Sequence, residues 1–407
     1  MKIFSNSLES NFAKFAALLV VDKRVYGAIL SLFYLSMPNV ETQHIGIILL
    51  LGCLAGFVFE IPSGYVADKI GHKNTIILSR IFMIISTLSY ILSTNIYFLF
   101  VGAIFFSLAI ACMTGSSTAF MYDTLKKLNR EDEYSKIIGK ASSIGYIIPT
   151  IFMMSASFLA QYDFKYIFAV SLVLDILGLI IAISLVDVKH SAEHKQEVKN
   201  TKFKSVFKEF FNTGFAPYAF LGAFMGGILI GIRGYVDPFQ EFAGADIALF
   251  GVFLGLSRLT SGIISYYSGS FKNIFTINSF FVFRTALFSL LFIGLGFVSS
   301  WQGVVLIMIL INTINLGLHE VSKHFDLELI QTSKFKATLL SIKSQIHQVF
   351  QALCGLALGF MVAKYSYNDS FMFLGFAFKI VCMICLLYIV FKRKLIKEKK
   401  HASICRL

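Results

Sequence analysis

Long apolar segments dominate this sequence and limit what it can fold into. A helix that spans the hydrocarbon core of a bilayer needs about 20 predominantly apolar residues, and the 407-residue chain accommodates twelve such segments. They are predicted at residues 13–37, 44–66, 74–94, 97–122, 138–160, 164–187, 213–237, 245–268, 273–297, 300–322, 338–363 and 368–391. Charged residues make up 14% of the chain, against roughly a quarter in soluble domains. We therefore predict an all-α membrane protein with twelve transmembrane helices.

The distribution of basic residues indicates how the chain is oriented in the membrane. The formal net charge is +13, and 28 of the 36 Lys and Arg residues lie in the N-terminal segment, the even-to-odd connections, the helix ends beside them or the C-terminal tail. This asymmetry is typical of cytoplasmic loops and places both termini in the cytoplasm. No nucleic-acid partner is expected. The six cysteines show no paired spacing, so no disulfide or metal site is predicted.

Three consecutive charged residues interrupt the first apolar segment. Asp22, Lys23 and Arg24 lie near its middle, where each charge would cost several kcal/mol if it faced lipid. We expect them to face a cavity or a partner. The alternative is a first helix that begins near Val25 and leaves the charges at the cytoplasmic interface.

A long polar segment divides the chain into two halves. Residues 1–187 are predicted to form an N-terminal six-helix bundle and residues 213–391 a C-terminal one. Residues 188–212 form a cytoplasmic linker, whose end has the spacing of an interfacial amphipathic helix. We prefer that interpretation to a binding element. Residues 392–407 form a basic cytoplasmic tail.

The two halves resemble each other at offsets close to 204 residues, as internal repeats do. Arg80 in the third segment corresponds to Arg284 in the ninth, and Asp175 in the sixth corresponds to Lys379 in the twelfth. Three further matches are Tyr122-Asp123 with Phe325-Asp326, Arg24-Val25-Tyr26 with Arg233-Gly234-Tyr235, and Gly56–Gly64 with Gly255–Gly262. The pattern supports two parallel six-helix repeats, with the site at their interface near the bilayer midplane.

The connection between the second and third segments carries a specific motif. Its residues are Gly64-Tyr65-Val66-Ala67-Asp68-Lys69-Ile70-Gly71-His72-Lys73, preceded by Glu60-Ile61-Pro62-Ser63. They resemble the loop 2–3 signature of the major facilitator superfamily of secondary transporters, and the likeness extends over nearly the whole chain. Thr114-Gly115 with Tyr122-Asp123-Thr124-Leu125, and Lys336–Ser341, are similar to motifs of one bacterial branch of that family. The resemblance implies a twelve-helix fold in two pseudo-symmetric bundles.

In that family the loop acts as a gate latch and not as a substrate site. The resemblance implies the same role for Gly64, Asp68, Lys69, Gly71 and Lys73. Gly64 would allow two helices to approach closely, and Gly71 would permit a backbone conformation with positive φ. The carboxylate of Asp68, beside two lysines, would hold neighbouring helix ends together by charge.

Ionisable residues inside the predicted helices are candidates for transport itself. Glu60 is the leading candidate for a protonatable coupling or cation-binding residue, with a structural capping or ion-pair role as the alternative. Asp22 is a second acidic candidate. Arg24, Arg233 and Arg258 could recognise an anionic group on the substrate, because guanidinium binds carboxylate or phosphate in a bidentate manner. Glu60 and Arg258 occupy nearly equivalent places in the two halves, so they could face one central cavity.

Two further pairs of charged residues have structural interpretations. Asp123 and Lys140 lie at adjoining ends of consecutive helices, where we predict an ion pair. The alternative is two solvated charges that contribute little stability. Asp175 and Lys379 lie on helices six and twelve, which the resemblance places at the periphery, and we interpret them as structural.

These features predict a secondary transporter that works by alternating access in a bacterial inner membrane. The resemblance favours proton-coupled efflux of a drug, an antibiotic or a toxic metabolite. The alternative is uptake of a small metabolite, an anionic one included, and a third interpretation is a lipid-handling or signalling scaffold on the same fold. No Gly-rich ATP-binding loop occurs and no nucleophile–base constellation is visible, so an enzyme is not expected. No cofactor is implied. A proton or ion gradient would supply the energy, and the expected partners of the monomer are a small-molecule substrate and the lipid bilayer.

Overall fold

The computed structural model describes residues 7–188, 210–211, 214–330 and 336–404. Sixteen α-helices and four 3-10 turns account for most of these residues, and none of the described residues lies in a β-strand. In the first part of the chain the helices are α1 (Ser10–Val21), α2 (Leu30–Leu35), α3 (Thr42–Ile70), α4 (His72–Ile91), α5 (Ile96–Lys127), α6 (Tyr134–Ala160) and α7 (Phe164–Ser184). They continue as α8 (Phe215–Gly231), α9 (Val236–Phe242), α10 (Phe250–Tyr266), α11 (Ser268–Ile274), α12 (Ile277–Leu295), α13 (Trp301–Gly317), α14 (His319–Leu329), α15 (Lys336–Lys364) and α16 (Tyr367–Ile404).

Ten helical stretches in the described part of the chain are long and apolar enough to cross a membrane. They match the second to fourth and the sixth to twelfth predicted segments. The fifth predicted segment is α6, whose apolar portion, Ile148–Ala160, is shorter. The first predicted segment is helical but interrupted. The predicted all-α membrane fold is therefore confirmed.

Segments one and seven are interrupted at matching positions of the sequence repeat. After α1, Asp22–Arg24 are not helical and a 3-10 turn follows at Val25–Ala28. In segment seven, a 3-10 turn at Ile232–Tyr235 separates α8 from α9. Each interruption carries the Arg-x-Tyr sequence of the repeat. The alternative of a later start for the first helix is wrong, because α1 already begins at Ser10.

The chain divides into two compact units. The first comprises Met1–Gln196 with Gly244–Leu256, and the second comprises Glu197–Ala243 with Ser257–Leu407. The start of α10 therefore belongs to the first unit. There the backbone N–H of Gly251 donates to Ser157 Oγ of α6 at 2.7 Å.

Close packing of apolar side chains holds the first unit together. Phe15 and Leu18 of α1 are almost fully buried and pack in one cluster with Met113 and Phe120 of α5. The ring of Phe33 packs on Phe168 of α7 with centroids 4.4 Å apart. Because lipid tails are as apolar as these residues, van der Waals packing contributes more to helix association than burial does.

The second unit has two apolar clusters among its described residues. One joins Phe215 and Ala219 of α8 to Leu339 of α15. The other joins Phe280 of α12 to Phe325 of α14. These contacts place α8 against α15 and α12 against α14.

Several helices continue beyond the predicted apolar segments. The last helix runs to Ile404 and so takes up most of the predicted tail, because Lys, Leu and Glu there are good helix formers. Residues 405–407 lie outside the described part of the chain. Most of the predicted linker, residues 189–209 and 212, also lies outside it, and with it most of the predicted interfacial helix.

Candidate functional site

The charges of the first interruption are neutralised by partners on other helices of the same unit. Arg24 Nη1 donates to both carboxylate oxygens of Asp175 on α7, at 2.7 and 3.0 Å. Thr87 Oγ1 of α4 donates to Asp175 Oδ2 at 2.6 Å. The carboxylate of Asp175 is fully buried, and Arg24 is 10% exposed. Asp175, interpreted from the sequence as peripheral, is thus the acidic partner of a candidate site residue.

A second buried pair lies beside the first. Arg80 Nη2 of α4 donates to Asp22 Oδ1 at 3.0 Å, and the arginine side chain is fully buried. A Cβ atom on Gly178, one turn after Asp175 on α7, would lie 3.3 Å from Arg80 Cδ. The two pairs therefore share α4 and α7. The expectation that the charges at residues 22–24 face a partner is confirmed for Asp22 and Arg24.

The interruption in the second unit is electrostatically different. Arg233 is exposed, and it forms no hydrogen bond or ion pair with any described residue. The half-buried Arg258 of α10 lies close enough for its positive charge to repel that of Arg233. Asp237, one helical turn after Arg233, is buried, and its negative charge lies close enough to Tyr367 to interact electrostatically with that side chain. At the repeat position of Asp175 the second unit has Lys379, which is exposed on α16.

A third pair joins α14 to α15 in the second unit. Lys343 Nζ donates to Asp326 Oδ2, and both side chains are at most 15% exposed. Asp326 and Lys343 follow Asp123 and Lys140 by 203 residues, so this pair is the repeat counterpart of the pair predicted in the first unit. Applying this offset to the predicted Asp123–Lys140 pair would have predicted the pair between Asp326 and Lys343 from the sequence.

The predicted ion pair between Asp123 and Lys140 is not formed in the described part of the structure. Lys140 is exposed near the start of α6 and has no charged partner there. Asp123 Oδ2 lies 3.8 Å from His72 Nε2 instead. The physical reason is the exposure of Lys140, whereas its repeat counterpart Lys343 lies against the glycine face of α8, near Gly222.

Glu60 lies on α3, at the end of its apolar stretch. The helix continues without interruption through Pro62 to Ile70, and the side chain of Glu60 is half-buried. Ser63 Oγ donates to the backbone carbonyl of Glu60 at 2.9 Å. This position is compatible with a coupling role and with a structural capping or ion-pair role. The coupling role of Glu60 stays a prediction.

The predicted gating loop is helical over most of its length. Gly71 alone separates α3 from α4, and its φ of 88° confirms the predicted positive φ. The predicted close helix approach at Gly64 is wrong, because that glycine is exposed and no described atom lies within 4 Å of an added Cβ. The physical reason is local, because Ala67, one turn later on α3, is buried whereas open space adjoins Gly64 itself.

The charged residues of that motif lie on both sides of Gly71. Lys69, on the last turn of α3, is exposed, and Lys73, on the first turn of α4, is half-buried. The positive charge of Lys73 repels that of Lys14 on α1. Lys14 Nζ donates a hydrogen bond to the backbone carbonyl of Ser184 at 2.6 Å. The side chain of Asp68 lies outside the described part of the structure.

Comparison with known families decides the class of the protein. A family model described as Major Facilitator Superfamily matches residues 16–322. The chain belongs to the major facilitator superfamily. This assignment makes it a multi-pass membrane transporter by family and by fold.

Three individual proteins similar to this superfamily member share 12% to 31% sequence identity with it. An "Uncharacterized transporter" of Buchnera aphidicola subsp. Schizaphis graminum is 31% identical over 194 residues, and the match spans 47% of each chain. The nucleoside transporter NupG superposes with a TM-score of 0.72 at 14% identity, covering 93% of this chain and 98% of that one. A D-xylose-proton symporter superposes with a TM-score of 0.67 at 12% identity, covering 93% and 96%. At these identities the structures show a shared fold.

The charges at the two helix interruptions of this major facilitator protein thus differ. In the first unit, Asp22, Arg24, Arg80 and Asp175 form two buried pairs whose charges cancel. In the second unit, Arg233 has no acidic partner in the described chain and is repelled by another arginine. A guanidinium in that state attracts an anion, and it offers the planar donor geometry that carboxylates and phosphates fit.

Proposed function

We propose that this transporter moves a small anionic molecule across the inner membrane of a bacterium by alternating access, driven by the proton gradient. The observation that carries the proposal is the exposed guanidinium of Arg233 at the interruption between α8 and α9. Broken helices are the usual place for a transporter to bind substrate, because unwound backbone and polar side chains become available there.

The comparison between the two interruptions supports an anionic substrate. Each carries an arginine, but Arg24 has Asp175 as its acidic partner and the corresponding position in the second unit is Lys379. An uncompensated charge inside a transmembrane segment is costly and is commonly functional. A substrate carboxylate or phosphate would supply the missing negative charge, with Arg258 adding to the positive potential.

The proposed coupling residue is Glu60. It is an acidic residue within a transmembrane helix, which makes it a candidate for reversible protonation. The proposed gate is the motif around Gly71, with Gly64, Asp68, Lys69 and Lys73, and this role rests on the family resemblance. The alternative for Glu60 remains a structural contact at the end of the apolar stretch.

Export is the proposed direction, and the support for it is the likeness of the motifs at Glu60–Lys73, Tyr122–Leu125 and Lys336–Ser341 to one bacterial branch. The cargo would then be an anionic antibiotic or toxic metabolite. Uptake of an anionic metabolite uses the same site chemistry and is the second candidate.

A ligand screen on the purified protein tests the substrate class. We expect carboxylates or phosphorylated compounds to raise the unfolding temperature, and neutral or cationic analogues to leave it unchanged. The Arg233→Gln variant should lose the response. The Lys379→Gln variant, which removes an exposed cation from the same unit, should keep it. Stabilisation by neutral or cationic compounds alone would refute the anionic cargo.

Transport direction needs membranes of defined orientation. With a proton gradient imposed, inverted vesicles should accumulate the anion found in the screen if the protein exports it, and right-side-out vesicles should accumulate it if the protein imports it. Binding without accumulation in either orientation would instead favour the scaffold interpretation.

A further inference from the structure

A groove of about 420 Å³ lies on the second unit, between the start of α8, the helix α15 and the end of the apolar stretch of α16. Its volume is in the range of ligand-binding pockets, about 300–1,000 Å³. The walls include Phe211, Pro217, Phe220 and Ile384, and Tyr388 and Lys392 line it further along α16. The groove is therefore apolar along its length and carries polar groups towards one end.

The position of Lys392 relates the groove to the membrane. The apolar stretch of α16 ends at Lys392, and the sequence continues with Arg393, Lys394, Lys397, Lys399 and Lys400 against one acidic residue, Glu398. The polar end of the groove therefore coincides with the point where the last transmembrane segment leaves the hydrocarbon core. By the distribution of basic residues this is the cytoplasmic side.

The apolar side chains around the groove are accessible from outside the protein. Phe220, Ile384 and Tyr388 are 42%, 61% and 55% exposed. In a transmembrane segment such surfaces face lipid, so an acyl chain is the molecule available to cover them. The basic side chain at the end of the groove adds a preference for a negatively charged headgroup, because polybasic segments beside a transmembrane helix attract anionic lipids.

We propose that this groove is a binding site for an anionic phospholipid of the cytoplasmic leaflet. One acyl chain lies along Phe220 and Ile384, and the phosphate contacts Lys392 Nζ and the hydroxyl of Tyr388. Phe210 and Phe211, at the end of the linker, also line the groove. The lipid therefore joins the linker to the last helix of the same unit, independently of which substrate the protein carries.

Quenching of tryptophan fluorescence by brominated lipids tests this site. The protein has a single tryptophan, Trp301, so a Trp301→Phe background with Phe220→Trp places one reporter in the groove. Ile380→Trp, on the same α16 and 58% exposed, is the matched control on a lipid-facing surface outside the groove. Each variant is reconstituted in phosphatidylcholine vesicles containing brominated phosphatidylglycerol or brominated phosphatidylcholine at equal mole fraction.

We expect brominated phosphatidylglycerol to be enriched about fivefold over brominated phosphatidylcholine around the tryptophan at residue 220, as its quenching reports, because one lysine beside the membrane surface contributes about 1 kcal/mol. The control tryptophan at residue 380 should be quenched equally by the two lipids. Adding Lys392→Gln should abolish the preference at residue 220. Equal quenching by both lipids, or a preference that survives Lys392→Gln, would overturn the proposal. Native mass spectrometry of the protein with its own tryptophan gives an independent reading: phosphatidylglycerol adducts should be retained by the wild type and lost in Lys392→Gln, and equal retention would also overturn it.

Discussion

Arg24 donates two hydrogen bonds to Asp175, which lies 151 residues later in the chain. This pair compensates a charge that would otherwise be isolated inside the first transmembrane segment. The repeat places Arg233 at the corresponding interruption of the second unit but supplies Lys379 where the first has Asp175. The difference between these two arginines is the basis of the proposed anion site.

Removing the acid of the buried pair is expected to destabilise the protein strongly. Asp175→Ala leaves Arg24 buried without compensation, at a cost of about 3–5 kcal/mol. Lys379→Ala, the exposed repeat counterpart, should change stability by no more than about 0.5 kcal/mol. Unfolding of both variants in detergent with a chemical denaturant measures the difference, and equal stabilities would contradict a structural role for the pair.

A double variant is the control that separates lost charge compensation from lost packing in that experiment. In Arg24→Met/Asp175→Leu no charge of the pair remains buried, and apolar side chains of similar volume can fill the space. The double variant should therefore be more stable than Asp175→Ala under the same conditions. If it were less stable, the destabilisation would come from lost packing and not from an uncompensated charge.

The two repeat-related arginines on α4 and α12 are expected to respond differently to the same substitution. Arg80→Met leaves the carboxylate of Asp22 without its hydrogen-bond donor, so we expect a loss of stability of about 3 kcal/mol. Arg284 is buried between the rings of Phe280 and Phe288, at 5.5 and 5.6 Å. Arg284→Met should cost about 1 kcal/mol, since cation–π contacts and an attraction to Asp326 are lost but no hydrogen-bonded carboxylate is left without its donor. Thermal unfolding in one detergent compares them, and a reversed order would be inconsistent with the assigned partners.

The two glycines of the loop motif should also differ. Gly71→Ala forces a side chain into a backbone with φ of 88°, which costs about 1–3 kcal/mol. Gly64→Ala places a methyl group in open space on a helix and should stabilise it by up to about 1 kcal/mol. Melting temperatures of the two variants test this contrast. A destabilised Gly64→Ala protein would show that this residue is needed for close packing after all.

Glu60→Gln tests the proposed coupling role. The substitution keeps the shape of the side chain and removes its ability to ionise, so gradient-driven flux in proteoliposomes should be abolished while the melting temperature stays near that of the wild type. Unchanged flux in response to a pH gradient would assign Glu60 to the structural alternative.

The sequence predicted the helices well and the partners of the charges poorly. Long apolar runs indicate spans directly, but the helix interruptions at the two Arg-x-Tyr sequences were not predicted. The partner of Arg24 could not be predicted, because nothing in the spacing of Arg24 and Asp175 tells which faces of two distant helices meet. The close helix approach predicted at Gly64 was wrong for the same reason, because the place of Gly64 in a motif does not tell whether its face of α3 meets another helix. The pair between Asp326 and Lys343 was accessible from the repeat offset, but the exposure of Lys140 in the matching pair depends on local packing.

The proposed anion site depends most on Arg233. Isothermal titration with the anion identified in the screen should give a dissociation constant about 10- to 100-fold higher for Arg233→Gln than for the wild type, because a charge-assisted hydrogen bond contributes about 1.5–3 kcal/mol. The Lys379→Gln control should bind like the wild type. An unchanged dissociation constant in a folded Arg233→Gln protein would show that Arg233 does not bind the anion.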